Sequence, residues 1–93
     1  MGLQLSRTAE FVKWFGKQNP KIQGLVRSRF SRIELNGYFG DTNHLGDGLF
    51  ELKWKSGLRV YYGYLEREHV IVILGGTKHG QGKDIKKAKK LLS

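Results

Sequence analysis

Apolar and polar residues alternate strictly through two neighbouring stretches of the chain. Phe50, Leu52 and Trp54 interleave with Glu51, Lys53 and Lys55; after Ser56-Gly57, Leu58, Val60, Tyr62 and Tyr64 interleave with Arg59, Tyr61 and Gly63. A period of two predicts strands with one buried face, here a hairpin over Leu49–Tyr64. A two-residue Ser56-Gly57 turn would set Lys55 opposite Leu58 and mix charge into the apolar face. A three-residue loop, Lys55-Ser56-Gly57, instead pairs Trp54 with Leu58, Leu52 with Val60 and Phe50 with Tyr62. That loop asks for a left-handed residue at its last position, where Gly57 stands. A one-residue slip would invert both faces, so burial enforces this register.

The other face then gathers Lys53, Lys55, Arg59 and Tyr61, with Lys53 directly opposite Arg59. Two cations about 5 Å apart across a strand pair repel. Their pairing points to an anionic ligand, with Glu51 nearby as partial compensation.

Elsewhere the pattern is mostly helical. Leu3–Arg7 reads as a short first strand, followed by Thr8 as N-cap and Glu10 in the first turn of a helix. Phe11, Trp14 and Phe15 form its apolar stripe to about Gln18. Asn19-Pro20 starts a second helix, with Asn as cap and Pro at the first helical position. Ile22, Leu25, Val26, Phe30 and Ile33 carry it to about Leu35. Asn36–Gly48 reads as a polar, glycine-rich connection without strand structure. A last strand is expected at His69–Leu74, then a glycine-rich stretch, Gly75–Gly82, and a basic helix, Lys83–Leu92, with Ile85, Ala88 and Leu91 on its apolar side.

The predicted fold is α+β: a small, mainly antiparallel four-stranded sheet packed by two N-terminal helices, in the order β-α-α-β-β-β, with a short C-terminal helix. Two helices on one sheet face leave the cationic face open or covered only by the tail.

Composition narrows the function. Ninety-three residues make one domain, 1–93, and a net charge of +9 favours a polyanionic partner. The longest apolar run, Val70–Leu74, is too short to span a bilayer, and no secretory segment is recognised, so no membrane partner and a cytoplasmic location are expected. The absence of cysteine removes disulfides and thiolate chemistry.

Most motifs fail on chemistry. Asp41–Leu52 superficially matches a calcium loop, but the fifth and twelfth positions are Leu45 and Leu52 rather than oxygen ligands. A phosphate loop ending at Gly82-Lys83 would need Gly and Ser or Thr where Thr77 and Asp84 stand. His44, His69 and His79 lack metal-ligand spacing, so neither a metal site nor a cofactor is expected, and no strand–serine–helix elbow is present. The basic set remains. RNA is cleaved without a metal when a base removes the 2′-OH proton, cations stabilise the crowded phosphate and an acid protonates the leaving 5′-oxygen. Lys53 or Lys55 suits the base and Arg59 a bidentate phosphate contact. His79 and Tyr61 suit proton transfer, and Lys78 adds charge.

Several blocks together carry a family resemblance: Phe39-Gly40-Asp41, then Leu45-Gly46-Asp47-Gly48-Leu49-Phe50-Glu51-Leu52, Leu58-Arg59-Val60-Tyr61-Tyr62, Ile71-Val72-Ile73-Leu74-Gly75-Gly76-Thr77-Lys78, and Gln81 with Asp84-Ile85-Lys86-Lys87-Ala88. Phe11-x-x-Trp14 and Arg32-Ile33 fit as well. This succession resembles the HigB-like addiction module killer branch of the RelE/ParE toxin superfamily over nearly the whole chain. The resemblance implies a RelE-like fold and a toxin restrained by a cognate antitoxin, commonly a helix-turn-helix DNA-binding protein, so that DNA is met only indirectly. It implies metal-independent cleavage of mRNA on the ribosome.

Carried onto this chain, Arg59 matches best, Lys53 and Lys55 fit the basic strand positions, and Lys78 and His79 occupy the later region. The expected catalytic set is Lys53, Lys55, Arg59 and His79, and Tyr61, Lys78, Lys83 and Lys86 are expected to contact RNA. No tyrosine follows residue 64, so the C-terminal tyrosine of some relatives has no counterpart and His79 is expected to substitute. Two other readings compete: a ParE-like, non-enzymatic inhibitor of DNA gyrase, and an RNA-binding module without catalysis. The concentration of Lys53, Lys55 and Arg59 on one face favours the nuclease, since an inhibitor that binds protein needs no such focus.

Overall fold

The computed structural model describes residues 2–93. In chain order the elements are β1 (Gln4–Arg7), α1 (Ala9–Gly16), α2 (Pro20–Asn36), β2 (Thr42–Gly46), β3 (Leu49–Lys53), β4 (Leu58–Glu66), β5 (His69–Thr77), a 3₁₀ turn (Lys78–Gly80) and α3 (Gln81–Leu92). The strands form one sheet in the order β1-β5-β4-β3-β2, with β1 parallel to β5 and every other pair antiparallel.

Caps set the helices as their residues dictate. Thr8 Oγ1 accepts from the Phe11 amide at 3.0 Å and donates to the Ile73 carbonyl at 2.6 Å, so the cap of α1 also fastens it to β5. Asn19 Oδ1 accepts from the Ile22 amide at 2.9 Å, Pro20 fills the first turn of α2, and Gly37 ends it in the left-handed conformation (φ 68°).

The sheet has five strands rather than the expected four. The extra one, β2, lies inside the Asn36–Gly48 connection. It escapes a hydrophobic pattern because it is an edge strand held by pairing rather than by buried side chains. Thr42 faces Leu52 and His44 faces Phe50 across the ladder, and Thr42 Oγ1 donates to the Glu51 carbonyl at 2.8 Å and lies 2.7 Å from the Tyr62 hydroxyl. Asp47 (φ 54°) and Gly48 (φ 77°) close the β2–β3 hairpin with the two positive φ angles of a type I′ turn. The Asp47-Gly48 pair is therefore the signal that marks this strand.

The β3–β4 hairpin has the expected register: Phe50 opposite Tyr62, Leu52 opposite Val60 and Lys53 opposite Arg59. The Trp54 amide donates to Leu58 O at 3.1 Å, and Gly57 closes the loop at φ 100°. Both sheet faces are covered. On one, α1 and α2 bury Phe11, Val26, Phe30 and Ile33 against Leu52, Val60, Tyr62 and Val72. On the other, α3 lays Ala88, Ile85 and Leu92 over Leu49, Tyr61, Ile73 and Leu74. A bulge makes this second core. Tyr61 pairs with Leu74 and Tyr62 with Val72, so Ile73 is the extra residue. Ile73 and Leu74 then both join the α3 side, breaking the alternation.

Gly75 follows the bulge, and its lack of a side chain has a specific reason. A Cβ there would stand 2.4 Å from the ring of Trp14, which packs directly on the strand backbone. Gly75→Ala is expected to cost about 1–3 kcal/mol through forced overpacking. A thermal melt unchanged from wild type would refute that contact.

Candidate functional site

The pairing of β4 with β5 assembles the basic cluster. Leu58 faces Thr77 and Arg59 faces Gly76, and the Lys78 amide donates to Gly57 O at 2.8 Å. The hairpin tip, Lys53–Arg59, therefore meets the segment entering α3, although some 20 residues separate them in sequence. Lys55 is exposed in the loop, Lys53 is half-exposed at the end of β3, and Lys78 and His79 are exposed in the 3₁₀ turn. Lys83 and Lys86 lie on the solvent side of α3, opposite buried Ala88.

Arg59 is held more tightly than an exposed phosphate-binding arginine would be. Its side chain is 11% exposed, and its Nε stands 3.4 Å from Glu51 Oε1. Nη1 donates to the carbonyls of Trp54 (3.2 Å) and Leu58 (3.0 Å). Glu51 in turn accepts from Gln81 Nε2 at 2.7 and 3.2 Å. Gln81, in the first turn of α3, thus closes over the carboxylate that balances the arginine. The expected repulsion between Lys53 and Arg59 is offset within the protein, because a buried charge requires a partner.

Glu51 and Gln81 are the site residues that the alternation pattern passes over. Glu51 occupies an outward, polar position of β3, yet it is 2% exposed because α3 covers that face. The non-alternating run Val70–Leu74 and the apolar stripe on α3 together signal a sheet buried on both sides.

Tyr61 corrects the expectation most clearly. Placed among the RNA contacts by sequence, it is fully buried beneath α3 and unavailable to a surface ligand. Its side chain shares the outward face with Arg59, but α3 has made that face interior. Its hydroxyl has no hydrogen-bond partner among the described residues. Burial, with the carboxylates of Asp84 and Glu51 nearby, pushes its pKa up to about 12, opposed by Arg59. Asp84 is itself raised by burial, against the pull of Lys83 and Lys87. It sits over Gly76, where a Cβ would stand 2.2 Å from its Oδ2.

The tyrosine carries a pH prediction. Below pH 10 the group is protonated whether folded or unfolded and adds no pH dependence. Between pH 10 and about 12 the unfolded chain releases the proton and the folded chain keeps it, so stability falls as pH rises. Tyr61→Phe should flatten this alkaline decline without loss of stability at neutral pH, read by urea unfolding at pH 7, 10 and 11.5. An identical decline in the variant would rule the assignment out. Tyr62, also raised to about 12 by burial, and Tyr64, raised by burial as well, keep the remaining slope.

Among the described residues no group of three His, Cys, Asp or Glu side chains converges as a metal site, and no helix is long and apolar enough to cross a membrane.

Residues 13–93 match the family described as Phage derived protein Gp49-like (DUF891). The chain belongs to the Gp49-like family. This Gp49-like chain is also 37% identical over 95 residues to an uncharacterized protein of Haemophilus influenzae, covering 98% of this chain and 94% of that one. Its fold is RelE-like. A mutant of E. coli toxin RelE in the free state superposes with a TM-score of 0.75 at 15% identity, covering 96% of this chain and 95% of that one. The intact E. coli RelBE toxin–antitoxin complex gives a chain with TM-score 0.69 and 16% identity, covering 82% and 96%. A conserved hypothetical protein from Helicobacter pylori gives 0.56 at 16% identity, covering 83% and 96%. The Gp49-like chain thus has the α+β architecture that its sequence blocks imply, with one edge strand more than its hydrophobic pattern shows.

Proposed function

We propose that the chain is the toxin of a type II toxin–antitoxin pair, of the HigB-like kind, and that it inhibits translation in the cytoplasm by cutting ribosome-bound mRNA without a metal. The observation that carries this reading is the meeting of two basic segments at one end of the sheet. Lys53, Lys55 and Arg59 come from the hairpin and Lys78 and His79 from the segment behind β5, joined by the Lys78–Gly57 hydrogen bond. The RelE-like fold and the family membership support it.

In this mechanism Arg59 holds the scissile phosphate through Nη2, which makes no hydrogen bond among the described residues, while the buried Nε faces Glu51 and Nη1 is bonded to carbonyls. Glu51 is a positioning residue, orienting the guanidinium from behind. Lys53 or Lys55 takes the 2′-OH proton. The 2′-oxygen then attacks phosphorus, the bond to the 5′-oxygen breaks, and His79 protonates the departing oxygen, leaving a cyclic phosphate and a free 5′-OH. Lys53, Lys55 and Lys78 stabilise the negative charge that builds on the phosphate, and Lys83 and Lys86 hold flanking phosphates. The restraining antitoxin, a helix-turn-helix protein, supplies the only link to DNA.

Induced expression followed by primer extension tests the proposal. New mRNA 5′ ends are expected within seconds to minutes of induction, and only on messages being translated. Intact mRNA with relaxed plasmid would replace this reading with gyrase inhibition. Bound but uncut RNA would reduce it to a binding module.

A further inference from the structure

On the side of the sheet opposite α3, a groove runs between α2 and the tip of the β3–β4 hairpin. It consists of two hollows of about 320 and 210 Å³ that share Leu25. Positions 21, 25, 28, 29 and 32 of α2 recur at helical spacing and make one wall. Trp14, Leu58 and Trp54 line the facing side. From Lys21 to Arg32 the wall is about 16 Å long, or three helical turns.

Charge and shape identify what this groove takes. Lys21, Arg29 and Arg32 rim it, and none of its lining residues is acidic. Asp41 lies near Arg29 but outside the lining. Leu25, at the junction of the two hollows, is 39% exposed on a helix whose other outward residues are mostly polar.

A nucleic acid would need a free aromatic face on which to stack a base. Arg29 already stands over the Trp54 ring at 4.2 Å, held there by bonds from its nitrogens to Phe39 O and Lys53 O at 3.3 and 3.0 Å. Trp14 lies against the backbone of Gly75. With one face of the Trp54 indole under Arg29 and Trp14 packed on the Gly75 backbone, the groove favours apolar packing between cations over base stacking.

We infer that this groove is the docking site for an acidic amphipathic helix of a protein partner, its apolar residues seated on Leu25, Leu58 and the indole edges, its carboxylates facing Lys21 and Arg32. That this partner is the restraining antitoxin rests on the toxin reading above. The docking chemistry does not.

The chain has two tryptophans, and both line the groove, so intrinsic fluorescence reports its occupancy. The probe is a synthetic peptide of about 14 residues, long enough to cover the groove as a helix, with leucine at every third or fourth position and glutamate between. A second peptide carries lysine in place of each glutamate. The acidic peptide is expected to give a saturable change in tryptophan emission, with the lysine peptide at least about tenfold weaker. Leu25→Glu and Arg32→Glu should each weaken the acidic peptide about tenfold. Lys86→Glu makes the same change in charge on α3 and should have less than about a twofold effect.

Equal binding of the two peptides would overturn the proposal, as would equal losses from Arg32→Glu and Lys86→Glu, which would mean net-charge attraction alone. A saturable emission change with oligouridine that Leu25→Glu removes would give the groove to nucleic acid. Circular dichroism confirms that each variant is folded. Growth arrest, measured separately, should survive Leu25→Glu. Its absence from the wild-type protein while the peptide results hold would refute the toxin reading and leave the docking site standing. Growth arrest without selective peptide binding would do the reverse.

Discussion

Arg59→Lys is expected to lower RNA cleavage by about 100-fold or more and to abolish growth arrest, while the domain stays folded. Removing one preorganised donor from a developing oxyanion costs about 10²–10³ in rate. The guanidinium does several things at once here: Nη1 reaches the Trp54 and Leu58 carbonyls and Nε faces Glu51, leaving Nη2 for phosphate. A lysine ammonium keeps the charge opposite Glu51 but has no planar fork with which to span these partners. Arg59→Ala is a poorer test. It would leave the Glu51 carboxylate, whose side chain is 3% exposed, with Gln81 as its remaining partner. Breaking a buried pair in this way costs about 3–5 kcal/mol, so loss of activity in the alanine variant would be confounded by loss of structure. Primer extension and a thermal melt on the lysine variant separate the two effects. Cleavage at the wild-type rate would remove Arg59 from the mechanism.

Phe11→Ala is expected to cost about 3–5 kcal/mol of stability, the usual loss for truncating a buried phenylalanine. The ring is 1% exposed and touches three others, with centroids 5.6 Å from Trp14, 5.8 Å from Phe15 and 5.7 Å from Phe30. It joins α1 to α2 above the sheet, so its removal opens a cavity between elements that have no other aromatic contact of this density. A domain of this size has about 5–14 kcal/mol of total stability, and the melting temperature should fall by about 15–30 °C. A drop of only a few degrees would mean that the cluster repacks, and that the core depends less on these rings than their burial indicates.

The two variants separate what each side of the sheet contributes. Phe11 lies in the core that the alternation pattern and the helical stripes predict. Arg59 lies where they mislead. Its strand position and its partner Lys53 follow from register alone, because only one pairing puts Phe50, Leu52 and Trp54 on the same side as Leu58, Val60 and Tyr62. Its surroundings do not. The strand pattern leaves Glu51 and Tyr61 facing outward, and both are buried, because α3 arrives over them from the far end of the chain.

Local chemistry was sufficient wherever the deciding contacts lie within a few residues. Thr8 and Asn19 mark the helix starts, Gly57 closes the hairpin and the spacing of apolar residues identifies the first core. The edge strand β2 was also written locally, in Asp47-Gly48, but its polar residues hide it from a search for buried faces. Tertiary structure alone decided that the hairpin tip and the Lys78–His79 segment lie side by side, that Gln81 closes over the Glu51–Arg59 pair, and that Tyr61 is core rather than surface. Each of these depends on residues 20 or more positions apart, brought together by the β4–β5 ladder and by the packing of α3. A one-dimensional pattern records how far a residue is from its neighbours in the chain. It does not record which helix will cover its face.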